Sequence, residues 1–275
     1  MVTRDALLKA STKQPDEAAG TRFFVQELHG RILLVLGDAR SVLEYIPNYS
    51  VALIVTDPPY GVQYKTGHRK VYNTETINRD LKDDDVRARQ LMHDTLWRCS
   101  DLLTSEGAMY VFCNIEENMI LNEILKGCMP YSGTTLFWIK NNWSAGNLKD
   151  YAKRVECIAW ARKGKHILRG GRDHNVLYFN RVGGKDMIHP TEKPVPLLEY
   201  LLAKSSSRDD LVLDPFSGSG SLAQAALLTG RYAIAIEQDR AFWNASLMRL
   251  CQSAIPVDPT TLQPELVLSS PSFSS

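Results

Sequence analysis

The sequence has no run approaching the ~18 consecutive apolar residues of a membrane-spanning helix. Charges are scattered through Met1–Gly20 with no apolar stretch behind them, so a secretory leader is not expected. Cysteine is scarce. The five (Cys99, Cys113, Cys128, Cys157 and Cys251) are odd in number and no two lie close together. That spacing differs from the tight pairs of a zinc site, so no metal centre is expected, and the thiols read as buried and free in a reducing, cytoplasmic compartment. Net charge is nearly absent too: 32 basic and 31 acidic side chains leave +1. As a sum this gives no reason to suspect a nucleic-acid partner, because such domains are often strongly basic. What remains is ordinary for a globular chain of 275 residues, 44% hydrophobic and 23% charged. That length suffices to bury a large core without staples.

Residues 1–20 read as a flexible leader. Residues 256–275 hold four prolines and five serines with almost no charge, and read as a flexible tail. Residues 21–255 are expected to form a single domain. Within it, short apolar runs alternate with helical patterns. The expected strands are Ile32–Leu36, Val51–Thr56, Ala108–Cys113, Thr134–Ile139, Val155–Ala161, Leu211–Leu213 and Tyr232–Ile236. The expected helices are Asp85–Leu103, Glu116–Lys126, Val195–Ser205, Ser221–Thr229 and Arg240–Ser253. Strands alternating with helices imply an α/β fold, a mostly parallel sheet with helices on both faces. Ligands of such sheets bind outside the C-terminal ends of the strands, so the residues that follow each strand are the first candidates for a site.

Val51–Thr56 runs into Asp57-Pro58-Pro59-Tyr60-Gly61. Two prolines fix φ and remove two N–H donors, so the strand stops and becomes a stiff loop. That places an acceptor pair, the Asp57 carboxylate and a proline carbonyl, beside an aromatic face. Leu211–Leu213 runs into Asp214-Pro215-Phe216-Ser217-Gly218-Ser219-Gly220-Ser221, whose glycines permit a sharp turn and close approach of a ligand. About twenty residues on, the next strand ends at Glu237, where Rossmann-type sheets carry an acid for ribose hydroxyls. Gly218, Gly220 and Ala223 also fit the dinucleotide pattern G-x-G-x-x-A, which makes an NAD-dependent oxidoreductase a competing reading. Gly37-Asp38 follows the first expected strand.

DPPY after one strand, with DPFSGSGS and IEQD around two others, resembles the S-adenosylmethionine-dependent amino-methyltransferases of DNA. DPPY precedes the Gly-rich segment by more than 150 residues, a circularly permuted order similar to that of the β class of adenine-N6 and cytosine-N4 enzymes. His189-Pro190-Thr191-Glu192-Lys193-Pro194 resembles that class's HPTxKP element. The likeness spans about residues 30–250 and implies a Rossmann-like methyltransferase sheet. In such a sheet the strand at Ile32–Leu36 would lie beside that at Tyr232–Ile236, bringing Asp38 near Glu237. The implied activity is methyl transfer from S-adenosylmethionine to adenine N6, after base flipping, by direct in-line attack. Asp rather than Ser at the head of the tetrapeptide favours adenine over cytosine N4. The oxidoreductase reading leaves DPPY without a task. A catalytically inactive cofactor- or DNA-binding subunit is the non-enzymatic alternative.

By this resemblance Asp57, Pro58, Pro59 and Tyr60 are the catalytic candidates. Asp38, Asp214, Phe216, Ser217, Gly218, Gly220 and Glu237 are the cofactor candidates, joined by Thr191 and Lys193 near the methionine carboxylate. The charges locate a DNA surface. Residues 140–193 carry twelve basic and five acidic side chains, a net of +7, which leaves −6 for the remainder. Lys149, Lys153, Arg154, Lys163, Lys165, Arg169 and Arg172 are the expected phosphate contacts, with Trp143 interleaved. A second DNA segment, residues 62–80 with Tyr64, Lys65, Arg69 and Lys70, is expected to close over the flipped base as a lid. Recognition falls within 141–190, and the 27 residues of Arg162–Ile188 are too few for a separate recognition domain. Expected partners are DNA, with or without a cognate restriction enzyme, and no membrane; the chain is a monomer or homodimer, bacterial or phage-encoded.

Overall fold

The structure, a computed structural model, describes residues 2–10, 23–59, 86–142, 149, 151–182 and 192–253. In chain order the elements are α1 (Val2–Ala10), β1 (Phe23–Leu28), β2 (Ile32–Gly37), α2 (Ala39–Leu43), β3 (Val51–Thr56), α3 (Val86–Leu102), β4 (Leu103–Cys113), α4 (Asn118–Cys128), β5 (Tyr131–Ile139), β6 (Val155–Arg162), β7 (Val176–Tyr178), α5 (Val195–Ser205), β8 (Leu211–Asp214), α6 (Ser221–Leu228), β9 (Tyr232–Glu237) and α7 (Arg240–Gln252).

The strands read as nearly unbroken apolar runs because both faces of the sheet are covered. Successive side chains alternate between two hydrophobic clusters. On one face lie Leu33 and Val35 of β2, Ile54 of β3, Met109 and Val111 of β4, and Ile234 and Ile236 of β9, packed with α1 to α4. On the other lie Ile32, Leu34, Leu53, Val55, Tyr110, Phe112, Ala233 and Ala235, packed with α5, α6 and α7. α6 is buried through Ser221, Leu222, Ala223, Ala225, Ala226 and Leu227, and its alanines let it lie close to its neighbours.

The nine strands form one sheet in the order β1-β2-β9-β8-β3-β4-β6-β5-β7. The pairs β2–β9, β9–β8, β8–β3 and β3–β4 are parallel, so five consecutive strands end on the same edge. β6 runs antiparallel to β4, with Cys157 opposite Cys113, so it begins at that edge. β5, antiparallel to β6, ends there. The expected pairing of the first strand with the last is present, with Leu36 opposite Glu237.

All the expected strands and helices form, with ends shifted by a few residues. Four short elements among the described residues escaped the periodicity: α1, β1, α2 and β7. β1 folds back on β2 through His29 and Gly30, both at positive φ (55° and 64°), with the Arg31 amide donating to the Leu28 carbonyl at 3.1 Å. The expectation of a flexible leader is corrected over Val2–Ala10. That stretch is a helix whose Leu7 is fully buried in the core, and Arg4 pairs with Glu27 of β1 at 2.6 Å. Residues 11–20 of the leader, the tail 256–275 and the segment 62–80 lie outside the described residues. No described helix is long and apolar enough to cross a membrane.

Leu7→Ala is expected to cost about 2–4 kcal/mol in urea unfolding, the range for truncating a buried leucine. An unchanged midpoint and slope would show that α1 is not docked in solution.

Candidate active site

The edge on which the parallel strands end gathers the acidic side chains singled out in the sequence. Asp57 leaves β3, Asp214 ends β8, Glu237 ends β9 and Asp38 follows β2. The neighbouring strands β3 and β8 connect two of these points directly, as the buried Thr56 hydroxyl donates to Asp214 Oδ1 at 2.7 Å. Pro58 is buried and Pro59 half-buried, as a stiff loop against the core requires. Tyr60 and Thr191 lie outside the described residues.

The turn after β8 is shaped by two glycines with different duties. Gly220 has φ +76°, and a Cβ there would stand 2.9 Å from Cβ and Oγ of Ser246 on α7. Gly218 has φ +50°, yet a Cβ there would meet nothing within 4 Å, so its outer side is open. Ser246 Oγ donates to the Gly218 carbonyl at 2.8 Å and fixes the turn. The Glu237 carboxylate accepts from the Gly218 amide at 2.9 Å and the Asp239 amide at 2.7 Å, which locks β9 to the same turn. Ser217 Oγ is buried and has no hydrogen-bond partner among the described residues. Phe216 is half-buried, and its amide donates to Asp214 Oδ1 at 3.1 Å.

Burial dominates the two inner acids. It pushes Asp214 up to about 7, against the hydrogen bonds from Thr56 and the Phe216 amide. It likewise pushes Glu237 up to about 7, against the amides of Asp239 and Gly218. Asp38 behaves differently. It caps α2, accepting from the Arg40 amide at 2.9 Å, and the Arg40 side chain holds its carboxyl below the usual range.

Lys193 is the largest departure from expectation. The resemblance puts it at the cofactor's carboxylate. The structure puts its buried ammonium between two acids, 2.6 Å from Asp57 Oδ2 and 2.6 Å from Glu156 Oε1. Burial disfavours that charge, but the fields of Asp57 and Glu156 outweigh it and lift the group above the ordinary lysine range. Glu156 Oε2 in turn pairs with Lys140 at 2.6 Å. Glu156 and Lys140 were not among the candidates. The signal for Glu156 was there, since it is a lone acid in an apolar strand, and a buried charge needs a partner.

The basic segment does not form one surface. Lys149, Lys153 and Arg154 are exposed just before β6, at the edge that carries Asp57. Lys163 and Lys165 follow the far end of β6, their amides bonded to the carbonyls of Gly107 and Ser105 at the start of β4. Arg169 follows them there, its amide on the carbonyl of Lys204 at the end of α5, and Arg172 adjoins Gly171, whose carbonyl takes the Lys204 ammonium. Five steps of strand from Ala108 to Cys113 separate the two edges by about 17 Å. The expectation that residues 140–193 locate one DNA surface is therefore corrected for the described residues, because β6 carries Lys163, Lys165, Arg169 and Arg172 away from the site. Trp143, Tyr64, Lys65, Arg69 and Lys70 lie outside the described residues. An apolar hollow of about 470 Å3 between α3 and α4, bordered by Trp97, Met119, Ile120 and Gly127, includes none of the candidate residues.

A permuted Rossmann-like sheet, with an acid at the ends of β2, β9, β8 and β3 and a glycine turn opening toward them, is that of an S-adenosylmethionine-dependent methyltransferase. Residues 51–182 and 171–247 match the DNA methylase family of N6 and N4 methyltransferases, and the chain belongs to that family. It is 26% identical over 235 residues to the type II methyltransferase M2.MboI of Moraxella bovis, covering 78% of this chain and 85% of that one. It is 26% identical over 243 residues to M.HinfI of Haemophilus influenzae, covering 79% and 67%. Among solved structures, the M1.HpyAVI complex with S-adenosylmethionine superposes with a TM-score of 0.60 at 24% identity, over 78% of this chain and 97% of that one. PvuII DNA methyltransferase, which is cytosine-N4-specific, superposes with a TM-score of 0.64 at 18% identity, over 80% and 86%.

The residues present fit the cofactor. The open side of Gly218, the unpartnered Ser217 hydroxyl and two acids at one turn suit a ligand with hydroxyl and amino groups. In the free protein, raised acids bind protons more tightly folded than unfolded. The stability they contribute is complete below about pH 4 and is lost as the pH climbs to about 7. Asp214→Asn is therefore expected to raise the melting temperature at pH 7 and to give progressively less gain toward pH 4. A gain that grows toward acid would reverse the assignment.

Proposed function

We propose that this chain transfers a methyl group from S-adenosylmethionine to the N6 amino group of adenine in DNA. The observation that carries the reading is the placement of Asp57, at the end of β3, next to the acid-lined glycine turn that ends β8. The acceptor for a target amino group and the cradle for a methyl donor thus share one edge of the sheet.

The exocyclic amino nitrogen of adenine is a poor nucleophile because its lone pair is delocalised into the ring. The Asp57 carboxylate and the Pro58 carbonyl accept hydrogen bonds from its two hydrogens and favour a more tetrahedral, more nucleophilic nitrogen. As positive charge grows on that nitrogen, a fixed carboxylate and a fixed carbonyl dipole stabilise it without reorganisation. Holding the amino group in line with the methyl supplies the rest. S-adenosylmethionine supplies an electrophilic sulfonium methyl when bound. Asp214 binds its amino group, Gly218 and Gly220 admit its methionine part, Ser217 hydrogen-bonds it and Phe216 packs against it. Glu237 holds the ribose and Asp38 the adenine side, with Thr191 near the methionine carboxylate.

The target base must leave the helix to reach Asp57, at a cost of a few kcal/mol. Tyr60 stacking on it returns ~1–3 kcal/mol. Lys149 and Lys153, at the site edge, contact phosphate. The adenine assignment rests on Asp at position 57, where relatives acting on cytosine often carry Ser. A second reading, cytosine N4, is favoured by the likeness in fold to a cytosine-N4-specific enzyme. Mass spectrometry of nucleosides from DNA methylated by this protein separates the two.

Asp57→Ala is expected to abolish methyl transfer while leaving cofactor affinity within about three-fold, since the residue acts on the nucleophile. Transfer at near wild-type rate would remove Asp57 from the mechanism. Charge reversal of Lys149 and Lys153 together should weaken DNA binding and flatten its salt dependence by about two phosphate contacts. Reversal of Lys163 and Lys165 should leave both unchanged, which filter binding across a salt series will read.

A further inference from the structure

Four charges alternate in a line behind the proposed nucleophile-activating acid: Asp57, Lys193, Glu156 and Lys140, each 2.6 Å from the next. They are not surface pairs. Side-chain exposure is 20%, 9%, 11% and 23% along the line, whereas both members of the pair Lys126–Glu123 are more than half exposed. The two cations also lie over aromatic faces, Lys193 at 5.0 Å from the Phe112 ring and Lys140 at 4.9 Å from the Trp138 ring. Burying four charges is a poor route to stability, since well-packed apolar groups do as well or better. Their place beside Asp57 suggests a task in the reaction.

The chemistry supplies one. Positive charge grows on the attacking nitrogen, so a lone buried cation behind Asp57 would oppose the transition state even as it holds the carboxylate. Glu156 offsets that cation, and Lys140 in turn offsets Glu156. The segment bearing Lys193 is also anchored, because the preceding Glu192 pairs with Arg249 of α7, which donates to Ser221 Oγ at 2.9 Å at the start of α6. Among the described residues, the titratable groups that face Asp57 include Lys193, Cys113 of β4 and Asp214 of β8, with Glu156 and Cys157 of β6 and then Lys140 behind them.

We propose that Lys193 and Glu156 are positioning residues for methyl transfer. Lys193 fixes the Asp57 carboxylate as an ionised acceptor, and Glu156, backed by Lys140, cancels the charge of Lys193 where positive charge grows on the target nitrogen. This rests on the role of Asp57 given above, and it reassigns Lys193 from the cofactor to the nucleophile side.

The test measures single-turnover methyl transfer as a function of pH in Lys193→Met, Lys193→Arg, Glu156→Gln and the double variant Lys193→Met/Glu156→Gln. Cofactor affinity and melting temperature are read beside it. Lys193→Met is expected to lower the rate about 100-fold and to move the acidic limb of the pH profile up by about one unit. Lys193→Arg should restore about ten-fold of the lost rate, because it keeps the charge. Glu156→Gln should lower the rate about ten-fold, and the double variant should be no slower than Lys193→Met, since Glu156 acts through Lys193. Cofactor affinity should stay within about three-fold throughout. Carboxylate NMR of 13C-labelled aspartate, with Asp57→Asn to assign the signal, should show Asp57 titrating higher in Lys193→Met, independent of turnover. An unmoved acidic limb and signal, additive losses in the double variant, or a loss of cofactor affinity that accounts for the rate would each overturn the proposal. If Lys193→Met does not fold, Lys193→Arg and Glu156→Gln decide, and a Glu156→Gln rate equal to wild type overturns it. Active Asp57→Ala would instead sink the role of Asp57 itself, so the two failures are distinguishable.

Discussion

Like charges crowded on one sheet edge are the constraint around which this protein is organised. Parallel pairing of β2, β9, β8, β3 and β4 sends Asp57, Asp214 and Glu237 to the same place, and packing on both faces of the sheet takes them out of water. Each acid is handled differently. Asp57 has a lysine. Asp214 has a hydroxyl and an amide, and Glu237 has two amides, with no cation among the described residues bonded to either. Burial outweighs these partners and pushes both acids up to about 7. Under the role proposed for them, they meet a cofactor that carries a sulfonium and an amino group. Taken by themselves, these two acids contribute less stability at neutral pH than in acid.

Circular permutation is physically inexpensive here because a sheet records adjacency in space and not order in the chain. β2 and β9 stand about 200 residues apart in sequence and pair in register, bringing Asp38 and Glu237 to neighbouring strand ends. The motif order therefore changes while the site does not. Likewise Lys193, distant in sequence from Asp57, meets it because it lies two residues before α5, which begins at the site edge.

Charge distribution taught a more limited lesson. The division of a nearly neutral chain into a basic segment and an acidic remainder directed attention to residues 140–193. Yet that segment contains β6, which runs the full height of the sheet against its neighbour β4. Arginines and lysines adjacent in sequence end on opposite edges. A window of sequence measures charge along the chain, whereas a phosphate backbone senses charge across a surface.

The alternation of short apolar runs with helical patterns, the prolines after β3 and the glycines after β8 are local properties, so fold class, strand ends and the candidate acids at those ends were legible in the residues themselves. Boundaries at Val51–Thr56 and Val195–Ser205 followed for the same reason: turn chemistry and periodicity act within a few residues. The short elements did not follow. α1 holds its place through the burial of Leu7 and the pairing of Arg4 with a distant strand, and β7 is three residues that exist only beside β5. The line from Asp57 to Lys140 was likewise invisible, although Asp57 and Lys193 were both candidates. Its partners come from four separate segments, and an ion pair depends on distance in space, which only the packed sheet sets.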